Sequence, residues 1–250
     1  MSDLRIVNIR KRFGNQEVLK GITFTFEPAR VNMIIGPSGC GKSVLIKCMV
    51  GLIEPDAGEI YYGSVDFRKA TPEQRREILK NLGMLFQSSA LFDSMTVGEN
   101  VAFPMRIFTR SSESEIRDRV SYCLERVGLR GVEDKYPAQL SGGMKRRVGL
   151  ARAIVLNPKY LFCDEPNSGL DPLTARRIDE LIEQITEDFH TTTIVVTHDI
   201  RSLQILGDKI LFIYNGEAVW RGTREELEGS ALENFPPKLK MFLQASGLYG

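Results

Sequence analysis

Apolar residues recur along the chain with two different spacings, one typical of strands and one typical of helices. Ile22, Phe24 and Phe26 alternate with threonine, which is the two-residue period of a half-buried strand. Short apolar runs predict buried strands, and amphipathic stretches with a period near 3.6 predict helices between them. The predicted strands include Val31–Ile35, 82–86, Tyr160–Asp164, 193–197 and 210–214, and the predicted helices include 42–50, 114–127, 142–156 and Pro172–Phe189. This alternation predicts an α/β fold whose largely parallel sheet is covered by helices.

The segment from about residue 89 to 158 interrupts the alternation. It contains few strand signals and two of the predicted helices, which end at Gly128 and Pro158. We therefore expect a helical subdomain inserted into the α/β core. Beyond it the alternation resumes, and Asn215-Gly216 predicts a two-residue hairpin between the last two strands.

Composition narrows the class of protein. The 250 residues are 42% hydrophobic, which is enough for a packed core, and the formal net charge of +1 gives no support to nucleic-acid binding through bulk charge. The four cysteines form no CxxC pair, so we expect a reduced, cytosolic protein without a zinc site or disulfide framework. No secretory signal is evident, and no apolar run approaches the roughly 18–20 residues of a membrane helix. Action at a membrane would therefore need a partner.

A glycine-rich segment follows the first buried strand. It matches G-x-x-x-x-G-K-[ST] and runs Gly36, Pro37, Ser38, Gly39, Cys40, Gly41, Lys42 and Ser43. Between a strand and a helix, such a loop turns successive backbone N–H groups and the helix N-terminus toward one anion. Lys42 would add a positive charge near the β- and γ-phosphates of a nucleotide, and the Ser43 hydroxyl would bind Mg²⁺. We expect Cys40, at a free position of the pattern, to be a small filler rather than a catalytic thiol.

Two carboxylates follow a second buried strand. Tyr160–Asp164 is apolar up to its last residue and is followed by Glu165, although a buried strand rarely ends in two acids without a cation or a water to hold. Asp164 fits a residue that orients Mg²⁺, and Glu165 fits one that polarises an attacking water. His198 follows a third apolar strand, and parallel strands bring their carboxyl ends to one edge of a sheet. We therefore expect these three side chains to converge near Lys42, although His198 alone would be better explained as a structural residue.

A second helix start is open to an anion. Ser141 is a good N-cap, and Gly142 and Gly143 leave the N-terminus of the following basic helix uncovered. One chain therefore carries two phosphate cradles. Both would serve one nucleotide only from opposite sides, which a head-to-tail homodimer provides.

Together these residues resemble an ATP-binding cassette (ABC) ATPase. The resemblance is carried by the motifs at 36–43, Gln87, 140–143, 161–165, 168–171 and His198, in the order that the family has them. It implies a P-loop NTPase core with an antiparallel β subdomain and an inserted helical subdomain, within a domain that spans 1–228. It also implies ATP and Mg²⁺ as cofactors, and two subunits that close on ATP and open after its hydrolysis.

The resemblance assigns individual roles as well. It implies that Glu165, His198 and Lys42 are catalytic. Phe13 is implied to stack on adenine, for which the alternative is a core phenylalanine at a strand end. Gln87 is implied to bind Mg²⁺, to sense the γ-phosphate and to link to the transport partner. Asp171 is implied to contact the opposite subunit.

The segment after Gln87 resembles the Mla-type phospholipid-transport cassettes, which are related to the Mce-associated ones. The likeness covers 88–104, and Met144, where most cassettes have glutamine, also fits that group. It implies an ATPase at the cytoplasmic face of a bacterial inner membrane, with an integral-membrane permease, an Mce-domain lipid-binding protein and a STAS-domain subunit as partners, and no nucleic acid. The apolar residues of this segment would receive a helix of the membrane partner or pack within the helical subdomain. They are Phe86, Leu91, Phe92, Met95 and Val97.

Several alternatives stay open. The second choice among transporters is an importer ATPase for amino acids or another small solute. Three further classes are disfavoured. A cassette that acts on nucleic acid would need long coiled-coil or zinc-bearing insertions, which the sequence lacks, and a translation-type factor would need two cassettes where the sequence has one. The presence of both Glu165 and His198 argues against a regulator that binds ATP without cleaving it. The tail at 229–250 has Leu239, Phe242 and Leu243 at helical spacing, so it would dock on its own domain or, as the sharper hypothesis, on a neighbouring subunit.

Overall fold

The computed structural model describes residues 4–246. Its strands are β1 (Leu4–Phe13), β2 (Gln16–Phe26), β3 (Val31–Ile35), β4 (Ala57–Tyr62), β5 (Val65–Asp66), β6 (Leu82–Leu85), β7 (Tyr160–Asp164), β8 (Thr192–Thr197), β9 (Lys209–Tyr214) and β10 (Glu217–Thr223). Its helices are α1 (Lys42–Met49), α2 (Pro72–Lys80), α3 (Val97–Phe108), α4 (Glu113–Arg126), α5 (Gly142–Ile154), α6 (Pro172–Phe189), α7 (Arg224–Gly229) and α8 (Pro237–Ala245). In this described part of the chain, none of the helices is long and apolar enough to cross a membrane.

The larger sheet places the candidate chemistry at one edge. Its order is β10-β9-β3-β8-β7-β6, and the strands from β9 to β6 pair in parallel and so end on the same side. β3, β7 and β8 are buried along their whole length. The loops that carry Lys42, Glu165 and His198 follow these three strands, so they lie side by side. The predicted α/β fold with a largely parallel sheet is confirmed.

The smaller sheet, of order β2-β1-β4-β5, is the expected antiparallel subdomain. Its inward residues share one apolar core with α1 and the near face of the parallel sheet. The alternating pattern predicted only part of β2, at 22–26, and it missed β1. Charged residues crowd β1, and its register shifts around Asn8, which has a positive φ of 51°. An irregular strand of this kind has no clean two-residue period.

Helices α3, α4 and α5 pack together and share a core with the far face of the parallel sheet. The predicted helices 114–127 and 142–156 correspond to α4 and α5, whose ends differ from the predicted ones by less than one turn. Helix α3 was not predicted, because Pro104 inside it is normally a helix breaker. The reciprocal hydrogen bonds of Thr96 and Glu99 cap α3 and favour its start. Helix α2 was missed because its apolar contacts with the core come from Ile78 and Leu79 near its end, too few to form an apolar stripe.

The tail folds back on its own domain. Helix α8 places Leu239 and Leu243 in the core that covers the far face of the parallel sheet. The ring of Phe242 lies 5.3 Å from that of Phe212 on β9. Residues 247–250, the end of the predicted tail segment, lie outside the described residues. The apolar face of α8 is therefore occupied within the chain.

Candidate active site

The loop at 36–43 has a backbone that favours glycine. Gly36, Gly39 and Gly41 have positive φ angles of 152°, 78° and 108°. At Gly36 packing also excludes a side chain, since a Cβ there would lie 2.1 Å from the carbonyl oxygen of Ile213. The path between β3 and α1 therefore depends on residues without side chains, as a loop that brings its backbone close to a phosphate requires.

Cys40 lies inside this loop. Its side chain is buried, and burial raises the pKa of the thiol, although the charge of Lys42 acts in the opposite direction. Its N–H donates to the carbonyl of Pro37 at 3.3 Å. The hydrogen bond closes the turn and burial keeps the thiol protonated, as expected of a filler. The neighbouring Ser38 is exposed at the mouth of the loop.

Lys42 stands over the loop that precedes it. Its Nζ donates to the carbonyl oxygens of Gly36 at 2.8 Å and Pro37 at 3.1 Å, and it lies 3.7 Å from Oε1 of Glu165. Only 4% of the residue is exposed. The ammonium group thus lies between the loop carbonyls and the carboxylate of Glu165, which follows β7.

Ser43 and Asp164 present adjacent oxygen atoms. The Ser43 hydroxyl donates to Oδ1 of Asp164 at 2.7 Å. Burial raises the pKa of Asp164, so a nearby cation would favour its charged form. No group of three or more His, Cys, Asp or Glu residues within 4–246 could hold a metal ion. A pair of oxygen donors fits Mg²⁺, which takes one or two protein ligands beside substrate phosphates and water.

Glu165 lies at the end of β7 in a strained backbone position. Its φ of 49° is in the left-handed region, and its N–H donates to the carbonyl of Val196 on β8 at 2.8 Å. Its Oε2 lies 2.7 Å from Nδ1 of His198. The Glu165 side chain is nearly buried, whereas that of His198 is 49% exposed. The histidine therefore orients the carboxylate while one side of its own ring stays accessible.

Most of these side chains share one cavity of about 270 Å³. It is lined by Val18, Ser38, Gly39, Gly41, Lys42, Ser43, Val44, Gln87, Glu165 and His198. Gln87 is exposed, and its Nε2 lies 3.4 Å from Oγ of Ser168. Phe13 is outside this lining at the end of β1, where its ring is 48% exposed and lies 5.4 Å from Nζ of Lys11. The ring is a surface group and not the core phenylalanine of the alternative interpretation.

The second cradle opens onto a separate cavity of about 590 Å³. Helix α5 begins at Gly142, and Oγ of Ser141 caps it by accepting the N–H of Met144 at 3.3 Å. Asp171 caps α6 beside it and accepts the N–H of Thr174 at 3.0 Å. The residues that line this cavity include Ser141, Gly142, Gly143, Gly169, Leu170 and Asp171. Within residues 4–246 the two cavities have no lining residue in common, so each chain presents two separate cavities.

Sequence reasoning missed the side chains that hold the loop after Gln87. The buried guanidinium of Arg146 donates to the carbonyl oxygens of Phe86, Gln87 and Ser168. Arg152, further along α5, donates to two more carbonyls of the same loop. Both arginines fall among the apolar positions of α5, and a buried arginine needs acceptors. An arginine at an apolar position of the helix was therefore the one sign in the sequence that these side chains bind backbone carbonyls.

A family model with the description "ABC transporter" matches residues 19–168, which include the phosphate loop, the second cradle and the acidic pair. Among solved structures, the chain is similar to the ATP-binding cassette MJ0796, determined as a dimer in a post-hydrolysis state with ADP and phosphate. The TM-score is 0.81 and the identity 30%, over 88% of this chain and 98% of that one.

Three curated proteins show how far the likeness extends. The chain is 39% identical to the probable ribonucleotide transport ATP-binding protein mkl of Mycobacterium tuberculosis, over 96% of this chain and 66% of that protein. It is 38% identical to the methionine import ATP-binding protein MetN of Clostridioides difficile, over 90% of this chain and 70% of that protein. It is 37% identical to the intermembrane phospholipid transport system ATP-binding protein MlaF of Haemophilus influenzae, over 90% of this chain and 85% of that protein. The chain thus spans about two thirds of the mycobacterial protein, and the three names give three different substrates.

Proposed function

We propose that this chain, which belongs to the ABC transporter family, drives a membrane transporter that moves phospholipid between bacterial membranes. ATP binding and hydrolysis by this domain follow from the family and from its ATP-binding relatives. The proposal extends to a role for each site residue, the arrangement of two chains around ATP, and the transported substrate.

The separation of the two phosphate cradles carries the proposal. The phosphate-loop cavity and the cavity at the start of α5 are lined by different residues, and both are open at the surface. A second copy, turned head to tail, would place its Ser141 cradle over the phosphates bound by the first chain. The similar cassette that was determined as a dimer with ADP and phosphate supports this arrangement.

The mechanism assigns one task to each charged group. Lys42 moves from its loop carbonyls to the β- and γ-phosphates and offsets their negative charge. Glu165 accepts a proton from the attacking water, and His198 holds the carboxylate in place through Nδ1. Ser141 of the partner subunit and the bare start of its α5 stabilise the γ-phosphate from the other side.

Mg²⁺ would be held by Ser43 and Asp164, with Gln87 completing the protein ligands. Their donors are oxygen atoms, and the first two are already in contact at 2.7 Å. The ion would neutralise phosphate charge during transfer. Gln87 lines the phosphate-loop cavity, so it would also sense whether the γ-phosphate is present.

An apolar groove beside this loop fits a helix of the permease. Its volume is about 410 Å³, and its lining includes Phe86, Ala90, Phe92, Phe103, Pro104 and Ile107. Phe92 is 42% exposed, and its ring lies 4.8 Å from that of Phe103. Val97, by contrast, is buried in the core of the chain and would not reach a partner, and Leu91 is partly buried against the same core. A helix in this groove would contact the loop that carries Gln87, which couples ATP binding to the membrane.

Phospholipid is the substrate we favour. The stretch at 88–104 and Met144 resemble the Mla-type cassettes, and the Haemophilus phospholipid-transport relative is matched over 85% of its length. We place the chain at the cytoplasmic face of the bacterial inner membrane. Its proposed partners are the integral-membrane permease, an Mce-domain lipid-binding protein and a STAS-domain subunit.

The alternative is an importer for amino acids or another small solute. The observation that favours it is the 38% identity to the methionine import protein, which is as high as the identity to the phospholipid relative. The two functions predict different effects of lipid and of solute on the complete transporter.

Phospholipid transfer by the complete transporter tests the proposed substrate. The complex is purified through a tag on this chain and reconstituted in phospholipid vesicles. We expect ATP-dependent transfer of a fluorescent phospholipid between vesicles, no transfer by the matched Glu165→Gln complex, and no effect of methionine on ATP hydrolysis. Hydrolysis stimulated by methionine or another amino acid, without lipid transfer, would establish the alternative.

A further inference from the structure

Three buried polar side chains lie behind the Glu165–His198 pair. Asp179 on α6 accepts a hydrogen bond from Nδ2 of Asn167 at 2.7 Å, and the same Nδ2 donates to Oγ of Ser202 at 3.2 Å. Their exposures are only 3%, 7% and 2%. Asn167 belongs to the loop just after Glu165, and Ser202 belongs to the turn that follows His198. The cluster therefore joins α6 to both segments that carry the pair.

The carboxylate of this cluster lies in surroundings that disfavour its charge. Burial raises the pKa of Asp179 to about 6, while hydrogen bonds from Asn167 and Ser202 act in the opposite direction. Oδ1 of Asn167 is buried and has no hydrogen-bond partner within residues 4–246. The charged groups around Asp179 are Arg176 and Glu180 on α6, and Asp199 and Arg201 at the turn after His198. Buried polar groups with incomplete pairing often mark places where function opposes stability.

We propose that Asp179 is a positioning residue for ATP hydrolysis. By anchoring Asn167 and Ser202, it holds the two chain segments whose side chains form the Glu165–His198 hydrogen bond. The inference rests on the roles proposed above for that pair. The loop anchored by Asn167 continues to Asp171 and lines the second cavity, so the same anchor connects the subunit contact to the reacting groups.

Asp179→Asn keeps the volume of the side chain and removes its charge and one acceptor. We expect kcat to fall about tenfold, as small misplacements of reacting groups do, with KM for ATP changed by less than about twofold. The folded-state pKa of Asp179 lies above its ordinary value of 3.8, so its ionisation destabilises the fold as the pH rises through about 6. At about pH 7.5 the variant should therefore melt at the same or a higher temperature than the wild type.

The pH profile of kcat separates a positioning role from a structural one. In the wild type, protonation of Asp179 as the pH falls through about 6 removes an acceptor from the cluster, so activity should decline there. In Asp179→Asn this part of the decline in kcat should be absent, and the rest of the pH profile should match that of the wild type. Asp208→Asn is the matched control. Asp208 accepts a 2.9 Å hydrogen bond from the N–H of Val31, and it lies outside the site. It should leave kcat and its pH profile unchanged.

Asn167→Ala provides a second variant that does not alter the carboxylate. It should lower kcat in the same direction, and the double variant should be no slower than the slower single variant, because both act through one contact. A kcat of Asp179→Asn within about twofold of the wild type, with an unchanged acid decline, overturns the positioning role. So does a loss of kcat that only follows a loss of folded protein. Absence of ATP hydrolysis in the wild type would instead contradict the proposed function.

Discussion

Replacement of Glu165 by glutamine should leave ATP bound and reduce its hydrolysis about 10²–10⁴-fold, the usual contribution of a positioned general base. Glutamine has the same length and still hydrogen-bonds to His198, whose Nδ1 lies 2.7 Å from Oε2 of Glu165. It does not accept a proton from the attacking water. It also removes one negative charge facing the phosphates, which favours binding. The variant should therefore accumulate as an ATP-bound dimer.

Phosphate release and size-exclusion chromatography with ATP and Mg²⁺ measure the two effects of this variant. Glu187→Gln is the matched control, because it makes the same chemical change at an exposed position of α6. The control should hydrolyse ATP at the wild-type rate and show no trapped dimer. A rate for Glu165→Gln within about threefold of the wild type would remove Glu165 from its proposed role.

Replacement of Lys42 by alanine should weaken ATP binding itself. Hydrogen bonds to charged groups contribute about 1.5–3 kcal/mol, which corresponds to about 10- to 150-fold in affinity. The change also leaves Glu165 without the positive charge 3.7 Å away, so the site becomes more repulsive to phosphates. Titration with a fluorescent ATP analogue measures the loss.

Lys159→Ala is the control for this second variant. Lys159 is exposed just before β7, and its alanine variant removes the same charge from the surface. Its affinity for the nucleotide should equal that of the wild type. If Lys42→Ala binds ATP as tightly as this control, the loop at 36–43 is not the phosphate site.

The parts of the site that were predictable have local chemistry. The loop at 36–43 is recognisable because its glycines and Lys42 fall within one short segment. Tyr160–Asp164 is recognisable because an apolar run ends in a carboxylate. The place of His198 followed from one further rule, that parallel strands share an edge. The structure accordingly brings Nδ1 of His198 to 2.7 Å from the Glu165 carboxylate.

The parts that were missed depend on contacts between distant segments. Arg146 resembles any arginine of a basic helix until the fold places it against the carbonyls of Phe86 and Gln87. Asp179 resembles a solvent-exposed acid of α6 until it is found buried against Asn167. Periodicity assigns residues to faces, but it does not say which polar side chain on a face finds a distant partner.

If each reactive site is built from two chains, two variants that are inactive for different reasons should restore activity to each other when they are mixed. Lys42→Ala disables the phosphate loop. Gly142→Asp disables the second cradle, since its carboxylate suits a helix start but repels phosphate, and the Cβ makes only an ordinary 3.7 Å contact with Leu170. Gly142→Asn, of the same size without the charge, is its matched control and should retain more activity.

Each variant alone should be inactive. In an equal mixture, random pairing makes about half of the dimers mixed, and each mixed dimer has one intact site out of two. The mixture should therefore regain about a quarter of the wild-type ATPase activity. A mixture that stays inactive although mixed dimers form would contradict the two-chain site, because each chain would then hydrolyse ATP within its own site.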